Sequence, residues 1–231
     1  MKTKFNFFSQ LTILSLVFFI YSSALAQTEW KSLFNGKDMS GWELKNGNAK
    51  YHIEDNSIVG TSRAGTPNTF LCTKETYSDF ILELEVQVAP GLNSGIQFRS
   101  NSLKEYQNGR VHGYQSELDT SKRAWSAGIF DEGRRGWLYP LTINTKGGSA
   151  FNNGGWNKVR IEAIGNSIKT FMNGIQCANL VDDMTDKGFI ALQVHSIREK
   201  AQEGKTIHWK NIKILTKNLE QYRTKNQPHA R

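Results

Sequence analysis

Glu117 and Asp119 stand two residues apart in the run Gly113-Tyr114-Gln115-Ser116-Glu117-Leu118-Asp119. In an extended strand, side chains at i and i+2 point the same way and lie about 6.5–7 Å apart. Paired carboxylates near that separation do acid and base work on glycosides. Gln115 shares their side, while Tyr114, Ser116 and Leu118 take the other. Two further runs have the same pattern. In Ser94–Arg99, Ile96 and Phe98 oppose Gln97 and Arg99, and in Ile190–His195, Ile190, Leu192 and Val194 oppose Gln193 and His195. If these strands are neighbours in one sheet, Gln97, Arg99, Gln115, Glu117, Asp119, Gln193 and His195 build one polar surface suited to a hydroxyl-rich ligand.

His195 titrates near neutrality and can serve as a general base or acid. His112, just ahead of the Glu117 strand, is a further candidate. Arg99, Arg134 and Arg135 carry donor forks that can hold an oxyanion or a pair of sugar hydroxyls. Trp137 and Tyr139, next to the two loop arginines, suit the apolar face of a sugar ring. No phosphate-binding glycine loop, His-Glu-x-x-His or Gly-x-Ser-x-Gly motif is present. No cofactor is predicted. Glu117 and Asp119 could ligate a divalent metal such as calcium, but no calcium-loop pattern accompanies them.

The elements that must position these groups read as strands. Phe80, Leu82, Leu84, Val86 and Val88 alternate with Ile81, Glu83, Glu85 and Gln87, the clearest two-residue period in the chain. Asp55-Asn56, Gly165-Asn166 and Asn173-Gly174 mark hairpin turns between alternating runs. Trp125–Asp131 reads as a strand, residues 132–138 as a loop, and residues 101–112 as a polar, irregular connection. Short strands with turn signals between them, and no amphipathic helix, predict an all-β antiparallel sandwich.

The 231 residues suit one domain, and the net charge of +8 falls to about +6 without Lys2 and Lys4. Basic residues are dispersed, which argues against nucleic acid as a partner. Residues 1–26 read as a signal peptide: Lys2 and Lys4, a largely apolar stretch, then Ala24-Leu25-Ala26 ahead of Gln27. Export to the periplasm or medium is expected, with no membrane contact after cleavage. The domain is placed at 27–216, followed by a polar tail, 217–231, expected to fray. Cys72 and Cys177, the only cysteines, leave both a disulfide and two buried thiols open.

Phe34-Asn35-Gly36-Lys37-Asp38 with Gly41-Trp42, Tyr77-Ser78-Asp79-Phe80, Asn93–Arg99, Gly113-Tyr114-Gln115, Trp156-Asn157, Asn173-Gly174, Gly188–His195 and Trp209–Ile212 occur in an order that resembles the 3-keto-disaccharide hydrolase family. The resemblance spans about residues 29–216. It implies a concanavalin A-like lectin/glucanase jelly roll and an exported protein of the kind abundant in Bacteroidota. It also implies partner oxidoreductases that make 3-keto sugars. Many members read Gly-Tyr-Glu-x-Gln where this chain reads Gly-Tyr-Gln-Ser-Glu, so the acid lies two residues later.

The implied chemistry uses the acidity a C3 ketone gives the C2 proton. A base removes that proton, the enolate expels the C1 group, and water adds back. His195 or Glu117 is the expected base, with Arg99 and Gln97 or Gln193 as oxyanion donors. Asp119 or Glu117 is the expected acid or sugar ligand. Two alternatives stand beside it. An ordinary glucanase needs a second Glu after Glu117-Leu118-Asp119, where Thr120-Ser121-Lys122 follows. A carbohydrate-binding module needs aromatics but no acid and base.

Overall fold

The computed structural model describes residues 29–225, so the expected signal peptide lies outside the described residues. The first sheet comprises β1 (Lys31–Ser32), β3 (Lys50–Glu54), β4 (Ser57–Thr61), β6 (Phe80–Val88), β11 (Trp156–Ile164), β12 (Ser167–Met172), β13 (Ile175–Val181) and β15 (Thr206–Leu215). Its order is β13-β12-β11-β6-β15-β4-β3, with β1 also paired to β15. The second sheet comprises β2 (Trp42–Asn46), β5 (Thr69–Thr73), β7 (Asn93–Asn101), β8 (His112–Asp119), β9 (Ile129–Glu132), β10 (Gly136–Tyr139) and β14 (Phe189–Val194). Its order is β10-β9-β8-β7-β14-β5-β2. All of these pairings are antiparallel, and the architecture is the expected jelly-roll sandwich.

Local chemistry explains the elements. On β6 the even-numbered apolar residues Phe80 to Val88 enter the core, while Glu83, Glu85 and Gln87 face out. Asp55 and Asn56 both adopt positive φ, which matches the twist of a two-residue hairpin between β3 and β4. Asn173-Gly174 does the same between β12 and β13. From the second sheet, Leu71, Ile96, Phe98, Tyr114, Leu118, Ile129, Ile190 and Leu192 meet the first sheet's residues in one core. Trp42 is buried there and donates its Nε1–H to the Leu33 carbonyl.

Three expectations change. The strand expected over Trp125–Asp131 begins only at Ile129, because residues 121–128 fold as turns. The segment expected as a loop contains β10. The tail is anchored through its described part: Leu219–Tyr222 is a helical turn (α2, following α1 at Thr145–Gly148), and Thr224 donates its N–H and hydroxyl to Glu162. Cys72 and Cys177 are free, buried thiols on different sheets. No helix among the described residues is long and apolar enough to cross a membrane.

Candidate functional site

The register of the second sheet decides which polar residues share its outer face. Gln97 pairs with Gln115, and Gly95 lies between Glu117 on β8 and Gln193 on β14. Gln97, Gln115, Glu117 and Gln193 therefore stand together, away from the core, as expected. They are hydrogen-bonded in series. Ser100 donates to Gln97 Oε1 at 2.8 Å, Gln97 Nε2 to Gln115 Oε1 at 2.6 Å, and Gln115 Nε2 to Glu117 Oε2 at 2.8 Å. Asn93 Nδ2 donates to the other Glu117 oxygen at 2.6 Å.

Gly95 makes room for this ladder, since a Cβ there would lie 2.3 Å from Gln115 Cδ. Gly95→Ala is expected to displace the Gln115 amide while costing about 1–3 kcal/mol of stability. Turnover should fall roughly tenfold, since mispositioning at a site is expensive. Steady-state kinetics beside a urea melt checks this.

Glu117 and Asp119 have different environments. Burial pushes Glu117 up to about 7 against the hydrogen bonds from Gln115 and Asn93. Burial also works against ionisation of Asp119, but bonds from Ser121 and Arg123 outweigh it and hold that carboxyl below its usual range. Arg123 spans the pair, with Nε 2.7 Å from Asp119 and Nη2 3.4 Å from Glu117. Its guanidinium lies 4.7 Å from the Trp125 ring centroid and 4.9 Å from that of Trp137. Phe130 and Trp125 pack edge-on against Trp137. An aromatic wall thus stands beside the carboxylates. Arg123 and Trp125 were not among the expected site residues. Their loop shows no periodicity, and only the acids four and six residues upstream of Arg123 could have drawn attention to it.

The other end of the face is roofed. Residues 102–111 fold over it, clipped where Asn46 donates to the Gly109 carbonyl and accepts from the Val111 N–H. Val111 packs on Phe70, Cys72, Phe189 and Ala191. A cavity of about 530 Å³ remains, lined among others by Phe70, Arg110, Val111, Glu132 and His195. His195 lies just past β14, with Nδ1 2.7 Å from the Ser196 carbonyl, and burial pushes its imidazole down, keeping it neutral at pH 7. Glu132, on the Gln115 side of the sheet opposite Gly113, is the residue missed here. Its position fell in a segment read as loop.

Five expected residues go elsewhere. Arg99 is turned away by a bulge between Phe98 and Asn101 and has φ +45°. Its buried guanidinium bonds the Ser78 and Gly165 carbonyls and Asp79 Oδ1. Arg134 and Arg135 both bind the fully buried Asp131, on the opposite side of β9 from Glu132, and both lie over the Tyr114 ring. Arg135 also holds Asp182, which accepts the Tyr114 hydroxyl. Tyr139 follows a register shift after Trp137, which turns it onto the core. His112 packs on Tyr106, with Nδ1 bound to the Arg110 carbonyl, and does not line the cavity. Among the described residues no cluster of three or more His, Cys, Asp or Glu side chains is placed to hold a metal.

Solved structures share this architecture. A candidate glycosyl hydrolase from Parabacteroides distasonis ATCC 8503 aligns with TM-score 0.59 and 18% identity, over 83% of this chain and 97% of that one. A Bacillus subtilis protein of unknown function with a galectin-like fold aligns at 0.58 and 12% identity, covering 81% and 94%. A carbohydrate-binding module of Bacillus subtilis aligns at 0.51 and 18%, covering 74% and 93%. No curated protein matches the chain. Residues 29–215 match the family model described as the 3-keto-alpha-glucoside-1,2-lyase-like domain. The chain therefore belongs to that carbohydrate-active, glycosyl hydrolase-like family.

Proposed function

We propose that this protein cleaves 3-keto-glycosides by elimination across C1 and C2, followed by addition of water. The observation that carries the reading is the Glu117 carboxyl, buried on a floor of glutamine amides between an aromatic wall and a cavity. A carboxylate with a pKa near neutrality is matched to removing a proton made acidic by an adjacent ketone. Glu117 is the base in this reading. Gln97 and Gln193 supply N–H donors for the oxygen on C3 as it gains charge. Neutral His195 at the cavity is placed to activate the water that adds afterwards. The 3-keto substrate would come from a partner oxidoreductase, and the leader proposed at 1–26 would place the reaction outside the cytoplasm.

Release from a nitrophenyl glucoside and from its 3-keto counterpart tests the reading. Turnover of the keto form alone is expected. Turnover of the plain glucoside would restore a glucanase, despite Thr120-Ser121-Lys122 after the acid pair. Binding without turnover of either would favour a carbohydrate-binding module, a reading supported by Trp125 and Trp137 beside the polar floor. Trp137→Ala is expected to raise KM about five- to tenfold and leave kcat within about twofold, since aromatic stacking contributes about 0.5–1.5 kcal/mol.

A further inference from the structure

Glu132 has no part in the chemistry just described, yet it is the carboxylate that lines the cavity. It is buried, and its polar neighbours are few. Gln193 Nε2 lies 3.4 Å from Oε2, and Arg110 Nη2 lies 3.7 Å from Oε1. Gln193 is itself fully buried, and its Oε1 has no hydrogen-bond partner. A buried acceptor left unpaired costs about 1–3 kcal/mol. Among the described residues no donor reaches it, so the polar surroundings of Glu132 are incomplete. Phe70 and Val111 supply apolar wall, and the cavity volume lies within the roughly 300–1,000 Å³ of small-molecule sites. Glu117 and Gln193 flank Gly95 from opposite sides, so Gln193, which bonds Glu132, shares the outer face with both carboxylates.

We propose that Glu132 is the general acid of this site and protonates the departing glycosidic oxygen. The proposal rests on the elimination reading above. Glu117 takes the C2 proton, and the C–H electron pair becomes the enolate with its charge on the C3 oxygen. Return of that pair forms the C1–C2 double bond and breaks the C1–O bond. The leaving oxygen accepts the Glu132 proton, and the new carboxylate faces Arg110 and the Gln193 N–H. Burial holds Glu132 protonated to higher pH than an exposed glutamate, against the pull of Arg110.

An acid of this kind matters in proportion to the basicity of the leaving group. Turnover of a 3-keto nitrophenyl glucoside and a 3-keto methyl glucoside should be measured for the full chain and for Glu132→Gln. The variant should keep nitrophenyl turnover within about threefold and lose methyl turnover by about 100-fold. Glu132→Asp should recover part of the loss. Equal losses on both substrates, or none on either, in a variant with an unchanged melting profile would overturn the assignment while leaving the elimination reading in place. If Glu132→Gln fails to fold, Glu132→Asp alone carries the test, and methyl and nitrophenyl turnover falling in parallel would count against the acid role. Wild-type protein inert toward both keto substrates would remove the elimination reading and this proposal together.

Discussion

Glu117→Gln should lower turnover of a 3-keto glucoside by about 10²- to 10⁴-fold, the contribution usual for a general base. The fold should survive, because the amide ladder can reverse. Gln115 Nε2 donates to Glu117 and its Oε1 accepts from Gln97. If the Gln115 and Gln97 amides rotate together, Gln115 Oε1 can accept from the new glutamine. The variant should also be more stable than wild type at high pH. The folded protein holds the Glu117 proton up to about pH 7, whereas an unfolded glutamate releases it near 4.5. As pH rises between those values the unfolded chain loses its proton first, so stability falls through that window. Above pH 7 the wild type carries the full cost of a buried charge, and the glutamine does not. A gain on the order of 3 kcal/mol at pH 8, vanishing at pH 4, is expected from urea melts.

The wild-type pH profile follows from the same group. A base must be unprotonated, so kcat/KM on a 3-keto nitrophenyl glucoside, whose leaving group needs no protonation, should rise with pH and level off above about 7. The other groups facing Glu117 do not titrate in that range. Asp119 is held below its usual range, and Asn93 and Gln115 are neutral amides. Full activity in Glu117→Gln, or a nitrophenyl profile that falls through pH 7, would sink the assignment.

Arg99→Met should lower stability by about 3 kcal/mol and leave turnover of the folded enzyme within about twofold. The Arg99 side chain is 2% exposed, and its three bonds join the second sheet to the Ser78-Asp79 segment and the β11–β12 turn at Gly165. Methionine fills similar volume but leaves two carbonyls without their donor. Hydrogen bonds to a charged group contribute about 1.5–3 kcal/mol each, and the half-exposed Asp79 loses little by regaining water. Denaturant midpoints and kcat, compared well below the melting temperature, decide the matter. A stable variant with lost turnover would return Arg99 to the site.

Much of the fold was legible because its signals are local. The two-residue alternation of β6 and the Asn-rich turns with positive φ depend on neighbouring residues only. Gln97, Gln115, Glu117 and Gln193 share a face because side-chain parity within a regular strand is also local, and the register then brought the strands together. The same rule misled at Arg99 and Tyr139. A bulge or register shift adds a residue out of step and moves everything beyond it to the other face. Arg134 and Arg135 are drawn off by the buried Asp131, which points to the opposite side of β9 from Glu132.

The sequence by itself determined a two-sheet sandwich and which side of each regular strand carries the polar residues around Glu117. Tertiary structure alone decided what surrounds those residues. Arg123 reaches the acids from an irregular loop, and the roof over Glu132 and His195 is held by Asn46, some 63 residues away from Gly109. The Asn46 clip forms only after distant strands have paired, so no pattern of neighbouring residues encodes it, while the Arg123 contacts are short-range but sit in a turn with no regular period.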